Sequence, residues 1–186
     1  MDLEMQIALL GILGTLGGTV LGWFLNNLSQ HGKLNIFISS WKDKFEYNKT
    51  GCMTLSSSIE QTEDYSYNVS FDLYNSSGET KIMRNIEIIF SNGKEELYCS
   101  TPKDDSTKRI SSPYIHYEDI LPVNIPPKSI MHIELHNWLS KSDGTLDNIW
   151  NTTHIYLKYI NEKNRKKKIL IRKEKYKDYF LNHIMQ

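Results

Sequence analysis

The sequence predicts a single N-terminal transmembrane α-helix followed by an all-β domain, an antiparallel β-sandwich of the immunoglobulin-like type or a small barrel of about eight strands. Three observations lead there. Met5 to Leu25 is a run of 21 residues without one charge, about the length a helix needs to cross hydrocarbon. After Gly32 the apolar period changes from helical to two. Polar turn clusters then recur without helical periodicity from residue 33 to about residue 137. The division is residues 1–32, a helix with a short acidic leader, and residues 33–186, a β domain ending in a basic hairpin and a short helix.

The apolar run includes GILGTLGGTVLGWFL, residues 11–25, which holds five of the ten glycines. A signal peptide is a poor match, because the leader MDLEM is acidic and WFLNNLSQHG offers no small-x-small cleavage site. A core helix in water would lose roughly 1 kcal/mol per glycine relative to alanine. On a helical wheel Gly11, Gly14, Thr15, Gly18 and Gly22 share one face, opposite Leu9, Leu13, Leu16, Val20 and Phe24. Gly14, Gly18 and Gly22 repeat every four residues, the small-xxx-small spacing that lets membrane helices approach closely. The expectation is a homo-oligomer formed through this helix. Trp23 suits the interface, and Gly32 is placed to cap the helix. Asp2 and Glu4 precede the span while Lys33, Lys42 and Lys44 follow it. The positive-inside tendency therefore places the N-terminus outside and the β domain in the cytoplasm, in the cell membrane.

Beyond Gly32, KLNIFIS alternates Leu34, Ile36 and Ile38, and YSYNVSFDLYN alternates Tyr65, Tyr67, Val69, Phe71 and Leu73. NSSGE reads as a turn, NIEIIF as a strand, and Asn92-Gly93 as a hairpin connection. Further strands are expected around residues 53–60, 129–136, 153–160 and 167–173, with a short helix within NWLSKSDGTLDNIW. Pro122, Pro126 and Pro127 suit an edge or a crossing between sheets. TPKDDSTKRISSP reads as a long, mobile polar loop.

Charge and chemistry narrow the function. The 22 basic and 22 acidic residues balance, which leaves no overall field to steer nucleic acid, and nucleic acid is not an expected partner. Two cysteines, Cys52 and Cys99, form neither a disulfide framework nor a zinc site. Sequons at Asn48, Asn68, Asn75 and Asn151 are commonplace in a chain rich in Asn, Ser and Thr. No phosphate-binding, dinucleotide, nucleophile-elbow or CxxC motif is present, and neither an enzymatic activity nor a cofactor is expected. HIELH sets His132, Glu134 and His136 on one strand face, a candidate divalent-metal set without a fourth ligand; a solvated face is the favoured reading. Asp104-Asp105 and Glu118-Asp119 read as solvated surface.

The charge is segregated. Residues 161–178 carry nine Lys or Arg against three acids, whereas residues 33–160 carry 13 against 17. Read as a hairpin, HIYLKYI and KKILIRK are strands joined by NEKNRK, with Ile169 and Ile171 on one face and Lys168, Leu170 and Arg172 on the other. Lys163, Arg165, Lys166, Lys167, Lys168, Arg172 and Lys173 form the candidate surface for anionic lipid or an anionic ligand. A charged edge hairpin that resists aggregation is the competing reading.

In layout, with its acidic leader, glycine-patterned span and β domain of about 150 residues, the chain resembles many small bacterial membrane proteins. Some bacterial antiviral effectors are similar in plan. No diagnostic motif carries over from them. The expected function is a membrane-anchored β domain that binds a protein or anionic small molecule at the cytoplasmic face. The alternative that the resemblance implies is a membrane-disrupting effector, in which a sensing β domain triggers assembly of the helices in the bilayer.

Overall fold

The computed structural model describes residues 2–173, 175 and 176. Helix α1, Leu3–Gln30, precedes twelve strands: β1 Leu34–Lys49, β2 Cys52–Leu55, β3 Asp64–Asn75, β4 Lys81–Ser91, β5 Glu96–Ser100, β6 Lys103–Asp104, β7 Arg109–Ser111, β8 Tyr114–His116, β9 Val123–Ile125, β10 Ser129–Ser140, β11 His154–Asn161 and β12 Lys166–Lys173. A five-residue helix, α2 Leu146–Trp150, joins β10 to β11. The terminal helix expected from the sequence lies mostly outside the described residues.

The strands form a sandwich, not a closed barrel. One sheet has the order β2-β1-β3-β10-β6; the other is β12-β11-β4-β5, with β9 sharing the free edge of β4. All pairings are antiparallel. The alternation in β3 turns Tyr65, Tyr67, Val69, Phe71 and Leu73 inward against Ile86, Ile88 and Phe90 of β4 and Ile155 and Leu157 of β11, all buried. Burying such side chains contributes about 1.5–3 kcal/mol each, so this shared face is the main source of cohesion. Pro126 and Pro127 follow β9 and carry the chain across to β10 in the opposite sheet.

Three expectations about the strands and loops change. β1 runs well past the Leu34–Ile38 alternation, because a bulge between Ile38 and Ser40 resets its phase and turns Phe45 into the core. The strand expected over residues 53–60 is confined to β2, after which the chain turns through SSSIEQT. TPKDDSTKRISSP is ordered structure, contributing β6, a 3-10 turn at Asp105–Thr107 and β7 of the β7–β8 hairpin. Asp104 N donates to Glu118 O, and Ile120 N to Pro102 O, so its backbone groups are satisfied internally.

At the end nearest α1, the helix and both sheets meet in a narrow neck. Asn75 closes β3 in the inward phase and is fully buried. Its Nδ2 donates to Glu79 O (2.7 Å), Ile125 O (3.0 Å) and Pro126 O (2.9 Å), while its Oδ1 accepts from the backbone and hydroxyl of Ser77. One side chain thus ties the β3–β4 corner to the β9–β10 corner. Lys33 N donates to Ser76 Oγ, Ser76 N to Lys33 O and Gly78 N to Ser29 O, which fastens the end of α1 to the same corner. Gly32 is not a left-handed cap, because α1 ends at Gln30 with His31 as its C-cap. It is glycine because the corner comes so close: a Cβ there would sit 2.1 Å from Ser77 N and 2.2 Å from Ser76 O.

Asn75→Ala removes the amide whose two N–H donors Glu79 O, Ile125 O and Pro126 O share, and Gly32→Ala forces the corner apart. Thermal unfolding in detergent is expected to show losses of about 2–4 kcal/mol for Asn75→Ala and about 1–3 kcal/mol for Gly32→Ala. Unchanged midpoints would show that the neck carries no stability.

Candidate functional site

α1 is long and apolar enough to cross a membrane, and its apolar side chains lie exposed on all sides. Its two threonines need no outside partner: Thr15 Oγ1 donates to Gly11 O and Thr19 Oγ1 to Thr15 O, each at 2.8 Å. Such hydroxyls are compatible with lipid, where an unsatisfied polar group costs several kcal/mol. Around Gly11, Gly14, Gly18 and Gly22 nothing lies within 4 Å of where a Cβ would stand. The glycine face is a continuous open strip.

The basic stretch separates into parts with different surroundings. β12 pairs with β11 in the hairpin read from the sequence, and Asn161 of β11 opposes Met83 near the start of β4. The β11–β12 turn therefore lies beside Lys81, at the neck end of the sandwich. Lys81 Nζ meets Glu162 at 3.2 Å, and Arg84 Nη2 donates to Asn164 Oδ1 at 3.4 Å. Lys163, Arg165 and Lys166 stand exposed on this turn. Asn161 Oδ1 accepts from the backbone N–H of both Lys163 and Arg165, which holds the turn open toward solvent.

The remaining members face elsewhere. Lys167 is exposed, next along β12. Lys168 pairs with Glu96 at 2.9 Å and lies over the Tyr156 ring, 4.3 Å from its centroid. Arg172 does not share the outer face with Lys168. A bulge between Ile155 and Tyr156 reverses the phase, and the Arg172 guanidinium reaches Asp43 at 3.4 Å. Lys173 is exposed at the far end of β12.

That far end is a polar knot within the core. Asp43, nearly buried, accepts from the hydroxyls of Tyr65 and Tyr176, which also bond each other at 2.8 Å. Burial holds both phenols well above the ordinary tyrosine range, with the neighbouring Asp43 carboxylate adding to the effect. They stay protonated donors, and the arrangement locks β1, β3, β12 and the chain after it together. Tyr67, whose hydroxyl bonds Ser100 at 3.0 Å, is held well above the ordinary tyrosine range by the same burial and likewise remains neutral.

His132, Glu134 and His136 do occupy one outward face of β10, yet their rings turn to different carboxylates. His132 Nδ1 meets Asp72 at 2.7 Å and its Nε2 meets Glu134 at 3.3 Å, while His136 pairs with Asp105. Among the described residues no three His, Cys, Asp or Glu side chains are placed to hold a metal ion. Hydrogen bonds to Asp72 and Glu134 raise the His132 pKa. The stabilisation is therefore present at low pH, below the ordinary histidine range, and fades as pH rises through the raised value. Glu118 and Asp119, read as solvated, pair on the surface with Arg109 and Lys103. Cys52 and Cys99 are both free, in strands of different sheets. Burial and the nearby Glu87 push the Cys99 thiol up to about 11, so it is a weak nucleophile.

Sequence reasoning takes Asn75, Ser76, Ser77 and Gly78 only as a turn and misses their part in the neck. One signal was available. Asn75 continues the inward phase of Tyr65 to Leu73, and a polar residue in that phase requires hydrogen-bond partners.

The family comparison agrees with this architecture. Residues 32–172 match the model of the YopI Ig-like domain family. The chain is similar to the SPbeta prophage-derived uncharacterized protein YopI of Bacillus subtilis (strain 168), 23% identical over 136 residues that cover 72% of this chain and 77% of the relative. Among solved structures, a protein from Archaeoglobus fulgidus aligns with a TM-score of 0.34 and 12% identity, over 73% of this chain and 98% of that one. The Iho670 flagellar-like filament aligns with a TM-score of 0.36 and 8% identity, over 90% and 97%. The matched family segment starts at Gly32, where α1 has ended and the sandwich begins, and runs to Arg172 in the last described strand; the chain belongs to the YopI Ig-like domain family.

Proposed function

We propose that this protein is a single-pass membrane protein that holds an immunoglobulin-like domain against the cytoplasmic face, self-associates through the glycine face of α1, and binds a protein or anionic ligand there. The carrying observation is the open strip along Gly11, Gly14, Gly18 and Gly22, on a helix whose apolar surface is otherwise uncovered. In lipid, close approach of two such faces gains dispersion contacts that bulkier residues would prevent. The absence of a recognisable catalytic motif and the Ig-like fold favour binding and display over catalysis.

The open strip also makes a clean test, since a Cβ added at these positions meets nothing within 4 Å. In nanodiscs, the wild type is expected to have the mass of a defined oligomer and Gly14/Gly18/Gly22→Leu that of a monomer. Equal masses would overturn self-association through this face.

Orientation rests on the lysines that follow the span and the acids that precede it. A reporter fused after Gln186 is expected to work only if it is one that functions in the cytoplasm. Activity of a reporter that requires the periplasm would reverse the topology.

A further inference from the structure

The neck fixes which surface of the sandwich meets the bilayer. α1 continues five residues past Leu25 to Gln30, about 8 Å of helix, which is about the depth of one headgroup layer. Gly78 then bonds to Ser29, so the corner sits where the headgroups end. Lys81 begins β4 three residues later and pairs with Glu162. The β11–β12 turn therefore stands at the same level as the corner. Its cations are unlike Lys168 and Arg172; Lys167 and Lys173 are also exposed and without a side-chain ion pair among the described residues, Lys167 one residue further along β12 and Lys173 at its far end. Among the described residues, Lys33, Lys163, Arg165 and Lys166 have no side-chain ion pair, whereas Lys168 and Arg172 are committed to Glu96 and Asp43. Seven residues along β12 separate Arg165 from Arg172. That is roughly 23 Å of strand, beyond the roughly 8–10 Å over which a membrane surface potential persists in physiological salt.

We propose that Lys33, Lys163, Arg165 and Lys166 form a docking surface for anionic phospholipid headgroups of the leaflet from which α1 emerges. The inference rests on the anchoring proposed above and adds a partner to it. Two antiparallel strands hold the turn rigidly, Asn161 keeps it open, and the acids beside it, Glu79 and Glu162, are drawn toward Lys81. The unpaired charge at this end is thus positive and faces lipid. Docking would set the tilt of the sandwich, and would present the far end, with the β1–β2 and β4–β5 hairpins, to partners in the aqueous phase.

Amine acylation of the full-length protein in nanodiscs, read by mass spectrometry, tests this directly. In discs with about one third phosphatidylglycerol, Lys33, Lys163 and Lys166 are expected to react severalfold more slowly than in pure phosphatidylcholine. Lys49 and Lys94, in hairpins at the far end, should be unchanged. Lys163→Glu with Arg165→Glu should restore the reactivity of Lys166 in the anionic discs. Equal reactivity in the two lipids, or protection that survives charge reversal, would overturn docking while leaving anchoring intact. Failure of the chain to enter discs of either lipid would overturn both.

Discussion

The arrangement depends on how closely the backbone of Gly32 approaches that of Ser76 and Ser77, an approach secured from inside by Asn75. The glycine leaves room for the corner, with 2.1 Å between the position of a Cβ and the Ser77 nitrogen. Asn75 then satisfies carbonyls from both corners that meet there. A buried amide with all its partners contributes modestly in net terms; Glu79 O and Pro126 O also accept from the hydroxyls of Ser77 and Ser129, so what its loss removes is the tie between the two corners.

A stiff neck gives the sandwich a definite attitude toward the helix and, under the proposed anchoring, toward the bilayer. The charge along β12 acquires meaning only in that frame. The turn at Lys163 to Lys166 stands at the neck end, while Arg172 contributes to a buried knot with Asp43, Tyr65 and Tyr176 at the other. One basic stretch thus divides into two parts, an exposed turn at the neck end and a structural contact at the other. The helix adds a third element, a glycine strip that the domain leaves uncovered.

The main features of the fold were legible because they are written in local periodicity. The uncharged run gave α1, period two gave β3 and β11, the prolines marked the crossing between sheets, and Asn92-Gly93 lies in the β4–β5 connection with Gly93 at positive φ. What local periodicity cannot register is a bulge. The bulge in β1 brought Phe45 inward, and the bulge between β11 and β12 moved Arg172 from the outer face to Asp43. Nor does a strand pattern reveal close approach between distant backbones, which is why Gly32 reads as a helix cap. The ordered segment at residues 101–113 was missed for a related reason: its partners, Glu118 and β10, are nonlocal.

Amide hydrogen exchange of the full-length protein in nanodiscs tests the rigid neck most directly. If the neck holds the sandwich to the helix, the amides of Lys33, Ser76, Ser77 and Gly78 exchange as slowly as those in the centres of β3 and β4. Exchange at these four as fast as at the exposed turn around Lys94 would show a flexible tether, and the membrane-facing assignment of the β11–β12 turn would fall with it.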